Sequence, residues 1–313
     1  MTFPTRAFGM FDDLRLERED FISRVHRRFR MLTSALFSTL MGITSRVARQ
    51  SLLGAPDAPT VTLTSHGRRV RRVNRTIESI GRGTLRPSRV VLWLDDPSVY
   101  ENLPAALLRQ QSRGLEVKLT NNLGPHTKYY PLVIEEPRRA ASFATADDDI
   151  LYPRWWLKRL VQAAVETPAN IVCHRAHRIT LRGARLAPYD AWESVRTTVA
   201  NPSVFATGVS GVLYPPAMAE ALRNAKRGFV KSCPFADDVW LHRIAMEHQI
   251  LVRQVADVPK HFWIARGSQQ GALMDRNMTG GNDAAIAALY GIEQVTLLRR
   301  STDSWNTAEG LKG

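Results

Sequence analysis

Apolar residues recur at steps of three and four through Ile22, Val25, Phe29, Leu32, Leu36, Leu40, Ile43 and Val47, a spacing that predicts one long amphipathic helix. Arg24, Arg27, Arg28, Arg30, Arg46 and Arg49 flank the stripe. A basic amphipathic helix of this kind packs on its own domain or on a dimer partner, or it lies on an anionic membrane face. Gly54, Pro56, Asp57 and Pro59 then break the pattern, so residues 1–57 are read as an N-terminal helical extension.

From residue 60 the period changes. Thr60–Ser65 is short and β-branched, Val70, Val73, Ile77 and Ile80 fall on one face of a helix over 68–80, and Arg89–Leu94 is a continuous apolar run. A second helix near 103–111, a strand at 115–119, a helix over 128–134 and a strand at 141–145 continue the alternation. It goes on with a helix at 154–165 and a strand at 170–173. Strands alternating with helices predict an α/β domain: a Rossmann-like mixed, mostly parallel sheet flanked by helices. The stretch 175–211 is polar, aromatic and weakly periodic. Val212–Pro216 leads into a helix near 218–223, Asp237-Asp238 opens another, and 250–255 reads as the last clear strand. The domain is drawn over 58–265, with a nucleotide-binding half at 58–150 and an acceptor half at 151–265, and 266–313 is a tail with one short helix.

Composition narrows the chemistry. Two cysteines, Cys173 and Cys233, make no disulfide framework and no zinc spacing, so a metal would need oxygen ligands, with a histidine at most. A formal charge of +14 implies polyanionic partners. The basic residues are spread along the chain without a helix-turn-helix or zinc pattern, so nucleic acid is not the expected partner. No signal-peptide pattern and no apolar run of bilayer length stands out. The expectation is a cytoplasmic protein, with peripheral attachment to the inner face of a membrane through residues 21–49 as one use of the basic helix; a homo-oligomer is another.

Asp95-Asp96 and Asp147-Asp148-Asp149 both follow strands, and ligands of such sheets bind outside the carboxyl ends of the strands. Three adjacent carboxylates there lose solvation and repel one another unless a positive partner neutralises them. Mg²⁺ or Mn²⁺, completed by phosphate oxygens, is one such partner. Interior pairing with arginines would remove that need, and helix capping would account for one or two of the acids but hardly three.

The order TSHGRR, LWLDD, LGPHTKYYP, ATADDDILYP and FADDVWL, across residues 60–260, resembles GT-A-fold nucleotide-sugar glycosyltransferases, close to the family 2 group. The resemblance implies a metal-dependent, hexosyltransferase-like enzyme of a GT-A-type fold. Its donor would be a nucleotide sugar, UDP-linked by preference, and its acceptor a saccharide or lipid-linked glycan of a bacterial surface polysaccharide. Thr64 and Ser65 would contact the nucleoside and Asp95 or Asp96 the base. Asp147 would face the ribose and Asp149 the metal and diphosphate, with Asp148 between them and His261 as a further metal ligand. Asp237-Asp238 stands where the family has a Glu-Asp pair, and Asp238 would be the base of an inverting displacement, provided that burial or Asp237 raises its pKa. Arg68, His126 and Lys128 are the nearest cationic candidates for the leaving phosphates. Gly208 and Gly211 would let backbone approach a sugar, or form a simple turn, and Trp192 would stack on a sugar or belong to the core. The alternatives are a metal-dependent nucleotidyltransferase or phosphohydrolase and, more remotely, a basic nucleic-acid binder.

Overall fold

A computed structural model of the chain describes residues 21–135, 141–265 and 281–310, with the side chains of 21–30 and 303–310 left aside. Residues 1–20 of the extension and 266–280 of the tail lie outside the described residues. The chain opens with α1 (Phe21–Val47) and runs through β1 (Thr60–Thr64), α2 (Val73–Gly81), β2 (Arg89–Leu94), α3 (Pro97–Glu101), α4 (Ala105–Gln111) and β3 (Leu115–Leu119). Then come α5 (Tyr130–Glu135), β4 (Phe143–Thr145), β5 (Ile150–Leu151), α6 (Trp156–Glu166), β6 (Ile171–Cys173) and β7 (Ala176–Arg178). A hairpin of β8 (Leu181–Arg182) and β9 (Arg185–Leu186), then β10 (Glu193–Ser194), β11 (Val204–Ala206) and β12 (Val212–Tyr214), complete the middle region. The rest is α7 (Pro216–Ala225), α8 (Phe229–Ser232), α9 (Asp237–Glu247), β13 (Val252–Gln254), β14 (Trp263–Ile264), α10 (Asn282–Leu289) and α11 (Ile292–Gly310).

The main sheet has seven strands in the order β13-β6-β12-β4-β1-β2-β3. β4, β1, β2 and β3 run parallel, β13 is parallel to β6, and β12 is antiparallel to both its neighbours. The sheet is therefore mixed and mostly parallel, as the alternation of periods predicts. β2 shows why its run is continuous: Val91 and Trp93 enter the core on one face, while Val90, Leu92 and Leu94 enter the core on the other. A strand covered by helices on both faces has no polar side, and its residues still alternate between two cores.

The polar stretch after Arg175 is not irregular. β7 carries β10 and β11 as antiparallel partners in a small second sheet. Strands of two or three residues are too short for a period to show, which is why the sequence reads as weakly periodic there. The tail holds the expected helix, α10, and continues into α11, which the pattern does not announce.

α1 meets the domain with its small polar residues. Ser34 Oγ donates to the Ile264 carbonyl (2.6 Å), Arg75 donates to Ser38 Oγ (2.9 Å), Asn74 donates to Ser45 Oγ (2.6 Å), and the Phe37 ring packs on Trp263 with centroids 5.1 Å apart. Met41, Ser38 and Ser45 are fully buried, whereas Leu32, Leu36, Leu40, Ile43 and Val47 face outward.

Candidate active site

β1, β2 and β4 end together, and each delivers polar residues to the same rim. β1 hands over Thr64 and Ser65, β2 hands over Asp95 and Asp96, and β4 hands over Asp147, Asp148 and Asp149. The rim is fixed from beneath by a chain of buried hydrogen bonds. Trp93 Nε1–H donates to Thr62 Oγ1 (2.9 Å), and Thr62 Oγ1–H donates to the Lys128 carbonyl (2.6 Å). Lys128 ends a 3-10 turn, Gly124–Lys128, rather than lying within a helix, and this places its ammonium over the aspartates. It donates to Asp147 Oδ1 (2.9 Å) and lies 3.0 Å from Asp237 Oδ2, at ion-pair distance without hydrogen-bond geometry. Burial alone would lower the Lys128 pKa, but Asp147, Asp237 and Asp238 together raise it well above the ordinary value, so the ammonium stays charged.

The second cation is Arg69. Its guanidinium pairs with Asp148 Oδ1 and lies 3.0 Å from Asp149 Oδ2. Ser65 Oγ–H donates to the other oxygen of Asp148 (2.6 Å), and Thr76 Oγ1–H donates to the Asp148 carbonyl (2.9 Å). Asp148 thus has both carboxylate oxygens engaged, and Asp148 and Asp149 are each only 7% exposed. Burial raises the pKa of Asp149 to about 7 in spite of Arg69, with Asp148 and Asp147 adding repulsion; Asp148 is raised as well, chiefly by burial. Asp147 is more open, at 26% side-chain exposure, and its backbone N–H donates to the Tyr152 hydroxyl (2.9 Å).

Across from this row stands the N-terminus of α9. Asp237 and Asp238 open the helix, and the Gly208 N–H reaches both oxygens of Asp238, at 3.2 and 3.0 Å. A carboxylate at a helix N-terminus should have a low pKa. Here burial comes first and repulsion from Asp237 second, and they lift Asp238 to about 7 against the pull of Lys128 and of the Gly208 N–H. Burial and Asp237 are the two causes of such a rise that the sequence offers. A Cβ on Gly208 would sit 3.0 Å from Asp238 Oδ1 and 3.3 Å from Lys128 Nζ, so this glycine lets backbone approach the carboxylate.

Other sequence candidates fall elsewhere. Thr64 Oγ1 donates to the Trp93 carbonyl (3.1 Å) at the edge of the rim. Asp96 is exposed and caps α3, its Oδ1 accepting from the Ser98 N–H (2.9 Å) and Ser98 Oγ (2.7 Å), whereas Asp95 is half-buried. His126 is fully buried, with one ring nitrogen on the Tyr129 hydroxyl, the other on the Cys233 carbonyl, and the ring stacked on Phe229 at 4.0 Å. Burial lowers its pKa to about 4, so it is a neutral part of the core rather than a cation for phosphates. Trp192 donates to the Ala187 carbonyl (3.0 Å) inside the core and offers no open face to a sugar. Gly211 has φ 84°, and a Cβ there would meet Trp156 Nε1 at 2.5 Å, so its role is a close turn over the indole. Arg68 is exposed, and its neighbour Arg69 makes the aspartate contacts. Arg69 is not among the candidates read from the sequence; a 3-10 turn over Gly67–Arg71 advances about 120° per residue and brings Arg69, not Arg68, inward.

The expected metal set of Asp149, Asp147 and His261 is not assembled. Among the described residues no three acidic, histidine or cysteine side chains converge as metal ligands. Arg69 and Lys128 supply the counter-charge that the aspartates need, so the donor set does not fit a preformed metal centre.

No protein-family model matches the sequence, and no curated protein matches it. Among solved structures the chain is similar to a CMP:2-keto-3-deoxy-manno-octonic acid synthetase complexed with CTP, at 13% identity and a TM-score of 0.40, over 63% of this chain and 88% of that one. It is also similar to an inositol-1-phosphate CTP transferase from T. maritima, at 12% identity and a TM-score of 0.38, over 72% of this chain and 97% of that one.

Proposed function

We propose that the protein is a transferase with a nucleotide-bound donor and, more finely, a glycosyltransferase that moves a sugar from a nucleoside diphosphate to an acceptor hydroxyl. The observation that carries the reading is the Asp238 carboxylate, held by the Gly208 N–H and tuned to about 7, opposite a strand-end row that bears two cations. A carboxylate with that pKa is poised to accept a proton near neutrality.

In this reading Asp95 accepts the imide N–H of the base, and Thr64 and Ser65 border the nucleoside. Asp238 takes the proton of the acceptor hydroxyl while its oxygen attacks the anomeric carbon. The carbon–oxygen bond to the diphosphate breaks, and the electron pair leaves on the phosphate oxygen. Lys128 and Arg69 stabilise that developing charge more in the transition state than in the ground state. Attack opposite the leaving group inverts the anomeric centre. The acceptor would be a saccharide or a lipid-linked glycan.

A second reading is nucleotidyl transfer, favoured by the same pair of cations, which suits a triphosphate, but it gives Asp238 no necessary task. One experiment separates the two. UDP-, GDP- and dTDP-sugars, CTP and UTP are screened by thermal shift and product release, with EDTA, Mg²⁺ or Mn²⁺, on the wild type and on Asp238→Asn. Nucleoside diphosphate released from a sugar donor, and lost in the variant, supports glycosyl transfer. Pyrophosphate released from a triphosphate overturns it in favour of nucleotidyl transfer, and turnover of simple phosphate esters points to a phosphohydrolase. Absence of stabilisation by every nucleotide removes the nucleotide reading altogether.

A further inference from the structure

Among the described residues α1 presents an unusual surface, because its apolar stripe points away from the domain. At about 100° per residue, Leu32, Leu36, Leu40, Ile43 and Val47 fall within an arc of roughly 80°, and Ser34, Phe37, Ser38, Met41 and Ser45 lie on the opposite side. The second group is the one that packs on the domain, through the serine hydrogen bonds and the Phe37–Trp263 contact. The first is in solvent: Leu32 is 69% exposed, Leu36 73%, Leu40 45%, Ile43 52% and Val47 70%. Five large side chains in one continuous stripe mark an interaction site rather than scattered surface residues.

Charge identifies the occupant. Residues 21–47 contain five arginines, Arg24, Arg27, Arg28, Arg30 and Arg46, and no aspartate or glutamate. Arg46, Arg72 and Arg75 lie close enough that Arg72 and Arg46 help lower the Arg75 pKa, after burial, and Arg82 reaches Thr44 on α1 (3.2 Å). Pairing this helix with its copy would set like charges side by side with no acid on α1 to offset them. An anionic surface meets both features, since it offers an apolar layer for the leucines beneath a plane of negative charge for the arginines. The helix does not cross that layer, as no helix among the described residues is long and apolar enough to span a bilayer.

We propose that the outward face of α1 docks the protein on an anionic lipid bilayer, with Leu32, Leu36, Leu40, Ile43 and Val47 in the headgroup region and the net positive charge of the helix drawn to the lipid phosphates. The test uses the full chain and vesicles of phosphatidylglycerol and phosphatidylcholine against vesicles of phosphatidylcholine alone, read by co-sedimentation at low and high salt. The wild type should bind the anionic vesicles, and binding should fall about tenfold or more at high salt. Leu36→Glu with Leu40→Glu should abolish binding without changing the melting temperature, because both side chains are exposed. Arg46→Gln should weaken it a few-fold. Equal binding by the double variant, or no binding by the wild type, overturns the proposal. So does a wild-type dimer that the double variant breaks while vesicle binding is absent, since the stripe would then belong to a second copy.

Discussion

Replacing Asp238 with asparagine tests the tuning of the candidate base on stability as well as activity. The carboxyl rises from the usual 3.8 to about 7 because of burial and Asp237. In the unfolded chain it loses its proton near pH 4; in the folded chain it holds the proton until about pH 7. The folded state therefore binds more protons across that window, and stability falls as pH rises through it and levels off above it. At about 1.4 kcal/mol per pH unit, the shift costs the native state at most about 4 kcal/mol at pH 8. Asparagine carries no such cost. Its amide oxygen still accepts the Gly208 N–H, at a loss of about 1 kcal/mol because the bond is no longer charge-assisted. The variant should then be about 3 kcal/mol more stable at pH 8, or about 5 °C in melting temperature for a chain of this length, and no more stable than the wild type near pH 4. Product formation should fall about 10²- to 10⁴-fold. Thermal melts from pH 4 to 9 and a product assay give both results. A variant that melts at or below the wild-type temperature at pH 8 would refute the account of Asp238.

Arg69→Met should cost about 3–5 kcal/mol at pH 8, since Asp148 and Asp149 lose their counter-charge in the interior. The loss should shrink toward pH 5 as the carboxyls take up protons, which urea melts at the two pH values would show. Gly211→Ala should lower stability by about 3 kcal/mol or more, because it combines a positive φ with a clash on Trp156. Gly67→Ala, at φ 54° with open space around it, should cost only about 1–2 kcal/mol in the same melts. Asp95→Ala should weaken UDP binding measured by calorimetry while leaving the melting temperature unchanged. Asp96→Ala should do the reverse, with a slightly lower melting temperature from the lost α3 cap.

The parts of the site that belong to strand ends were legible in the sequence. A strand that stops at polar residues marks where the chain leaves a parallel sheet, whether the strand is a continuous apolar run, as at Arg89–Leu94, or short and β-branched, as at Thr60–Ser65, so Thr64-Ser65, Asp95-Asp96 and the triple aspartate can be placed from the sequence. Asp238 is singled out by the resemblance, in which Asp237-Asp238 stands in the place of a Glu-Asp pair; two acids at a helix start place the pair without giving it a role. Which of two adjacent arginines turns inward, and whether His126 is a cation or a buried neutral ring, depended on the rotation of short 3-10 turns and on Phe229 and Cys233, about a hundred residues away. Periodicity does not report such details. The stripe of α1 was visible too, but not its direction, because a helix can pack through serines when they find carbonyl, amide and guanidinium partners.

The charge balance of the rim bears on what must accompany a donor. Five carboxylates, Asp147, Asp148, Asp149, Asp237 and Asp238, surround two cations, Arg69 and Lys128, and the pKa values of about 7 at Asp149 and Asp238 show how the excess is relieved, by retained protons. A diphosphate adds negative charge to that rim, so its binding must bring in either more protons or a cation. If protons suffice, donor affinity in the presence of EDTA should strengthen as pH falls from 8 to 6, with net proton uptake in calorimetry. If a divalent ion is required, it must compete with Arg69 for Asp149 and with Lys128 for Asp147. Binding would then release the retained protons, and affinity would strengthen with pH and with the ion together. Because Asp148 already spends one oxygen on Ser65 and the other on Arg69, the protein has fixed part of its counter-charge in place, and proton uptake is the outcome that this arrangement favours.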